Sequence, residues 1–244
     1  MKIITVKNYE EMSSIACNLV VKKINQIDYP VMGFATGYTP EGLYKQLVEK
    51  FNNNEVSFKN VKSFNLDEYV GVEKDDPNSY YYYMNTNLFS LVDILDRNIN
   101  LPNGLANNLQ QECEDYEEKI MKANNIDLQI LGIGVNGHIG FNEPGTSFTS
   151  VTRVVDLHTT TIESNSRFFS SIEDVPKQAI SMGIKTIMES KEVLLLVTGE
   201  NKAEVLSKFL REEITEDLPA SILKKHKNLT LIADKDALSK YNSF

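Results

Sequence analysis

Cysteine is scarce in this chain. Cys17 and Cys113 are the only two, far apart and in no CxxC pattern, which excludes a disulfide framework and a thiol metal or redox signature and suits a reducing compartment. Histidine is nearly as scarce. His138, His158 and His226 are scattered, with no HxH or HxxxH spacing, so the sequence offers no metal site and no cofactor is expected. Long apolar runs are also missing. The longest aliphatic stretch, VLLLV at 193–197, is far too short to span a bilayer. The first residues, MKIITVKNYEEMSS, contain no apolar core of signal-peptide length. A cytoplasmic protein without membrane contact is the expectation. Positive charge is in deficit, 25 Lys and Arg against 34 Asp and Glu. A nucleic-acid partner would need clustered cations, whereas a small anion needs only a locally positive pocket. No Pro- or Ser-rich linker divides the chain.

What is present is a regular alternation. Short apolar runs at 3–6, 31–36, 61–66, 128–134, 151–157, 178–183, 193–199 and 229–234 read as strands. Several are separated by segments of helical period. Met12, Ile15, Ala16, Leu19, Val20, Ile24 and Ile27 share one face; so do Leu43, Tyr44, Leu47, Val48 and Phe51, and later Val205, Leu206, Phe209 and Leu210. Apolar strands without alternation are buried on both sides, as in a parallel sheet covered by helices. The expectation is an α/β fold: one domain over 1–244, a three-layer α/β/α sandwich on a mostly parallel, Rossmann-like sheet. Any excursion should fall near 145–180.

Sheets of this type bind ligands beyond the carboxyl ends of their strands, so the strand ends carry the functional argument. In FATGYTPEGLYKQL (34–47) a strand runs into Thr36, Gly37, Tyr38 and Thr39 before a helix, with Thr39 as a helix cap and Pro40 at the first helical position. This is either a tight turn or an anion site made of free backbone N–H groups. VLLLVTGENKAEVL (193–206) repeats the form and places Lys202 in the first helical turn, where a cation opposes the helix dipole unless it has an anionic partner. VKSFNLDEYVGV (61–72) ends a strand in Asp67 and Glu68. The pair is either a solvated acidic turn or, with an apolar wall to raise a pKa, the source of a general base. The four tyrosines at 80–83 cannot all line one pocket if they are helical, and core and rim packing is expected for most.

The fourth strand end is LGIGVNGHIGFNEPG (131–145), where glycines surround Asn136, His138 and Glu143. With FNLDEYVG and ATGYTPEGLY upstream, and NSRFF (165–169) and TGENKA (198–203) downstream, the segment resembles the glucosamine-6-phosphate deaminase family over nearly the whole chain. The resemblance is to its short members, which lack the longer tail of the allosteric ones. It implies a three-layer α/β/α sandwich and conversion of glucosamine 6-phosphate and water to fructose 6-phosphate and ammonia, without metal or organic cofactor. It also implies roles. His138 moves the proton that opens the sugar ring, as an imidazole titrating near neutrality can. Glu143 orients His138, and Asp67 takes the C2 proton and returns it at C1. Asn136 stands where some members have aspartate, and keeps a reduced part in ring opening. The phosphate falls to Thr36, Gly37, Tyr38, Thr39, Arg167 and Lys202. Tyr38 replaces a glycine of some relatives. A mobile lid is implied at about 157–180. Arg153 remains from the allosteric members' effector site, but Val155 replaces a basic residue, so little activation by the N-acetylated sugar phosphate is expected. A homo-oligomer is left open.

Two rivals share the fold. A 6-phosphogluconolactonase has a similar Thr-Gly loop but hydrolyses a lactone, and Asp67 together with Glu143 favours the deaminase. A sugar-phosphate sensor of a transcription regulator would need a DNA-binding helical module, and no basic helix-turn-helix candidate precedes residue 30.

Overall fold

The computed structural model describes residues 1–158, 161–163, 169 and 171–241. Strand β1 (Lys2–Val6) leads into α1 (Tyr9–Gln26), capped by Asn8, whose side chain accepts from the Glu11 N–H. Then follow β2 (Val31–Phe34), α2 (Glu41–Asn52), β3 (Lys62–Asn65), β4 (Asp67–Tyr69), α3 (Tyr80–Asn87), the two-residue β5 (Ile99–Asn100) and α4 (Leu109–Lys122). The second half holds β6 (Leu128–Leu131), β7 (Arg153–Asp156), β8 (Gln178–Ser181), α5 (Ile184–Met188), β9 (Val193–Val197), α6 (Ala203–Arg211) and β10 (Leu229–Asp234).

Seven strands form the central sheet in the order β1-β10-β9-β6-β2-β3-β5, and every neighbouring pair is parallel. Alternate residues of its strands feed two cores. Leu194 and Leu196 face one core with Met12, Val20, Leu43 and Leu47 of α1 and α2. Val193, Leu195 and Val197 face the other with Tyr116, Leu206 and Phe209 of α4 and α6. Burial of both faces is why β9 reads as an unbroken apolar run. No helix among the described residues is long and apolar enough to cross a membrane.

Two expected strands, at 151–157 and 178–183, lie outside this sheet. As β7 and β8 they pair antiparallel with each other and with β4, in the order β4-β8-β7. The chain changes sheet at one residue. Leu66 still donates to the Phe34 carbonyl of β2, while its own carbonyl accepts from Met182, just beyond β8. Asp67 therefore begins the second sheet at the rim of the first. Strands β4 and β5 and helix α4 are additions to the sequence reading.

The connections also fix where a ligand fits. Chain growth proceeds from β2 to β3 and β5 on one side, then returns to β6 and β9 on the other. The loops after β9, β6, β2 and β3 thus leave four adjacent strands at their carboxyl ends, around the point where strand order reverses.

Candidate active site

Asp67 is 6% exposed and pairs with Ser181 across the β4–β8 ladder. Burial, reinforced by the charge of Glu68, pushes its carboxyl up to about 8. Glu68 has a different environment. Its carboxylate accepts backbone N–H groups from Tyr69 at 2.9 Å, Tyr80 at 3.0 Å and Tyr81 at 2.9 Å, the last two at the start of α3. Burial raises its pKa too, and these three bonds oppose that. The adjacent carboxylates thus divide their work: Glu68 ties α3 to β4, while among the described residues no donor reaches the Asp67 oxygens.

The loop after β6 folds back over that carboxylate. Gly140 has φ +56°, and a Cβ there would lie 3.4 Å from Oδ2 of Asp67 and 3.3 Å from Oγ of Ser181. The Phe141 N–H donates to that hydroxyl at 3.1 Å, so Ser181 fastens the loop to β8 beside the acid. Asn142, fully buried, donates to the Ile139 and Met182 carbonyls and accepts from Arg153 at 2.9 Å. Arg153 is thereby engaged inside the fold, with Thr146 as a second, longer contact.

Within the loop, His138 lies against Gly134, where a Cβ would come within 2.3 Å of the imidazole. Nδ1 of His138 stands 3.4 Å from Oε2 of Glu143, too far for a strong hydrogen bond. That same oxygen accepts from the Asn136 side-chain amide at 2.6 Å, and Oε1 accepts from the Thr161 hydroxyl at 2.6 Å. Burial would raise the Glu143 pKa, but the contacts with His138, Thr161 and Asn136 override it and hold the carboxyl down at about 2. Glu143 is a fixed anion facing an imidazole.

The residues expected to bind the phosphate follow β2 and β9. Helix α2 begins one residue later than expected, with Pro40 as its cap and no side-chain cap bond. Thr39 is not that cap; its side chain lies near Gly132, where a Cβ would be 3.8 Å from Oγ1. The β2 and β6 loops are thus in contact. After β9, Thr198 and Gly199 are pinned by Asp234, whose carboxylate accepts from the Thr198 hydroxyl at 2.5 Å and the Gly199 N–H at 3.1 Å. Gly199 adopts φ +89°, and Lys202 stands just before α6 rather than in its first turn. Burial lowers the Lys202 pKa. Among the described residues no carboxylate pairs with it, which leaves a half-buried cation in need of an anion.

Asp67, Asn136, His138 and Glu143 thus come together, with Thr36, Gly37, Tyr38, Thr39 and Lys202 on the strand ends alongside. Arg167 lies outside the described residues, as does part of the 157–180 segment. Of the other histidines, His226 is buried and bonds the Ser190 carbonyl at 2.8 Å, and His158 is exposed. Among the described residues no group of three or more His, Cys, Asp or Glu could hold a metal. Ser181, Thr161 and Asp234 escaped the sequence reading, because a hydroxyl or carboxylate that supports a distant loop leaves no local pattern.

The four tyrosines divide as helical geometry requires. Tyr80 stacks on Phe141 with ring centroids 6.0 Å apart, and Lys74 lies over the Tyr81 ring at 5.1 Å. Tyr82 is exposed. Tyr83 turns toward the β2 loop and donates to the Gly37 carbonyl at 2.7 Å.

Known proteins resemble the chain in sequence and fold. The chain is 56% identical over 238 residues to a glucosamine-6-phosphate deaminase of Oceanobacillus iheyensis, covering 98% of this chain and 95% of the relative. It is 53% identical over 242 residues to one from Clostridium botulinum strain Kyoto, covering 99% of each. Among solved structures, a monomeric glucosamine-6-phosphate deaminase superposes with a TM-score of 0.96 at 47% identity, covering 98% of this chain and all of the other. A 6-phosphogluconolactonase of Thermotoga maritima superposes with a TM-score of 0.77 at 22% identity, covering 96% and 99%, which is a likeness of fold. The family model for glucosamine-6-phosphate isomerases and 6-phosphogluconolactonases matches residues 8–232, and the chain belongs to that family.

Proposed function

We propose that the chain converts glucosamine 6-phosphate and water to fructose 6-phosphate and ammonia, acting as one catalytic unit. The observation that carries this reading is the placement of Asp67. A buried carboxylate with a raised pKa stands at the sheet rim, under the loop that holds His138 against Glu143. The reaction needs two proton-handling centres, one for the ring and one for C2, and this cleft has two with different electrostatics. The relatives at 56% and 53% identity, both glucosamine-6-phosphate deaminases, support the same reading.

In the mechanism, His138 takes the anomeric hydroxyl proton and delivers it to the ring oxygen. The fixed charge of Glu143 stabilises the imidazolium formed between those events. Asn136 holds the Glu143 carboxylate in place. Asp67 then removes the C2 proton from the open-chain sugar. An ammonium on C2 next to Asp67 would draw its pKa down, so the substrate itself helps to generate the base. The enolamine accepts the proton at C1, and water hydrolyses the resulting ketimine to release ammonia. The Thr36–Thr39 loop, Lys202 and Arg167 bind the phosphate, the arginine through its planar fork and the lysine as a point charge. The 157–180 segment acts as a lid, and the Thr161 bond to Glu143 links it to the ring-opening group.

The test is equimolar release of ammonia and fructose 6-phosphate from glucosamine 6-phosphate, run in deuterated water with C1 of the product examined for deuterium. Release with solvent label at C1 is expected. A folded protein that releases neither product, yet hydrolyses 6-phosphogluconolactone, would replace this reading with the lactonase.

A further inference from the structure

Three tyrosine hydroxyls converge on three carbonyls of the β2 loop. Tyr44, inside α2, donates to Ala35 at 2.5 Å. Tyr83, on α3, donates to Gly37 at 2.7 Å. Tyr9, at the start of α1, donates to Tyr38 at 3.0 Å, accepts from the Gly42 N–H at 2.7 Å, and stacks its ring on Tyr38 with centroids 5.0 Å apart. Three helices therefore hold one four-residue segment, each from the carbonyl side. Among the described residues the backbone N–H groups of Gly37, Tyr38 and Thr39 meet no acceptor.

Satisfying buried carbonyls does not account for all three bonds. Ala35 is buried, so its carbonyl needs a partner. Gly37 and Tyr38 are exposed, and water could serve their carbonyls equally well. Gly37 is also held at φ +91° with open space where a Cβ would stand, so packing does not dictate its conformation. What the hydroxyls add at these two positions is orientation: a peptide whose carbonyl is held on one side presents its N–H on the other.

We infer that Tyr83 and Tyr9 are positioning residues that pre-orient the Tyr38 and Thr39 N–H groups toward the substrate phosphate. This rests on the reading of that loop as the phosphate site. An unclamped glycine loop would have to be ordered on each binding event, at a cost in affinity that pre-organisation removes. The clamp also gives the tyrosine run a function, and the Glu68 bonds that dock α3 help to bring Tyr83 to the loop.

The experiment measures KM and kcat for glucosamine 6-phosphate, and the inhibition constant of inorganic phosphate, for the unaltered protein and for Tyr83→Phe, Tyr9→Phe and Thr39→Ala. Each Tyr→Phe change removes one hydroxyl and keeps the ring. Loss of one neutral hydrogen bond predicts a rise in both KM and the phosphate inhibition constant of roughly three- to tenfold, larger than any fall in kcat. If Thr39→Ala raises both constants and the two tyrosine variants raise neither, the clamp is wrong and the loop remains the phosphate site. If all three variants leave both constants unchanged, the clamp is wrong and the Thr39 hydroxyl makes no contact with the phosphate. A fall in kcat alone in the tyrosine variants would also overturn the clamp.

Discussion

Asn136 donates its side-chain amide to Oε2 of Glu143 at 2.6 Å, the oxygen that also faces Nδ1 of His138. An aspartate at this position would set a second negative charge against Glu143; the amide instead contributes a hydrogen bond. Asn136→Ala should therefore lower kcat by roughly tenfold with little change in KM, the magnitude of one hydrogen bond to a charged group. Unchanged turnover would remove Asn136 from the ring-opening group.

The pH profile should report Asp67. A base works only when ionised, and the Asp67 carboxyl is pushed up to about 8 by burial and by the charge of Glu68. In the free enzyme kcat/KM should rise with pH and level off above that value. Glu68→Gln removes the second cause, so the acid limb should move to lower pH. Glu68→Asp, which keeps the charge, should leave the limb higher than Glu68→Gln does. A limb that stays put in Glu68→Gln would assign the whole shift to burial.

Asp67 should also cost stability. Below its usual value of 3.8 the carboxyl is protonated whether the chain is folded or not. As pH rises the unfolded chain ionises first, while the folded one holds its proton until about 8. The penalty thus grows across that interval and is complete above it. Asp67→Asn should abolish turnover and raise Tm, by a margin that widens from about pH 4 to about pH 8. At roughly 2–4 °C per kcal/mol for a chain of this size, several degrees are expected. An equal margin at all pH values would contradict the raised pKa.

Lys202 carries its charge partly out of water without a carboxylate partner among the described residues. Lys202→Ala should raise KM by roughly tenfold or more, as loss of a charged contact to phosphate does. It should leave Tm unchanged or slightly higher. An unchanged KM would take Lys202 out of the site.

Gly134 has no room for a side chain under the imidazole. Gly134→Ala should displace His138 and lower kcat by roughly a hundredfold, since small misplacements at a reacting centre carry penalties of that order. The change in the His138 ring signals should be visible by NMR. Wild-type turnover in Gly134→Ala would mean that the ring position is not critical.

Much of this was legible in the chain because the signals are local. Apolar runs buried on both faces identified the parallel sheet, and strand-ending motifs singled out Asp67, His138, Glu143 and Lys202 as candidates. The misreadings have physical reasons. Strands β7 and β8 fall in or beside the 145–180 stretch where an excursion was expected, but an apolar run does not state which sheet it joins. Strand β4 was missed because three residues carry no period. Thr39 has good capping chemistry, but its side chain lies near Gly132 of another loop, a neighbour that only folding brings.

The sequence by itself determined which segments bury both faces and which residue types end them, since periodicity and side-chain chemistry are properties of neighbours along the chain. Tertiary structure decided which strand ends become adjacent, and therefore that four separate motifs lie side by side. It also decided that one of two neighbouring buried carboxylates docks a helix through backbone N–H groups, while the other accepts none among the described residues. That difference comes from which backbone N–H groups are within reach, and only folding brings them there.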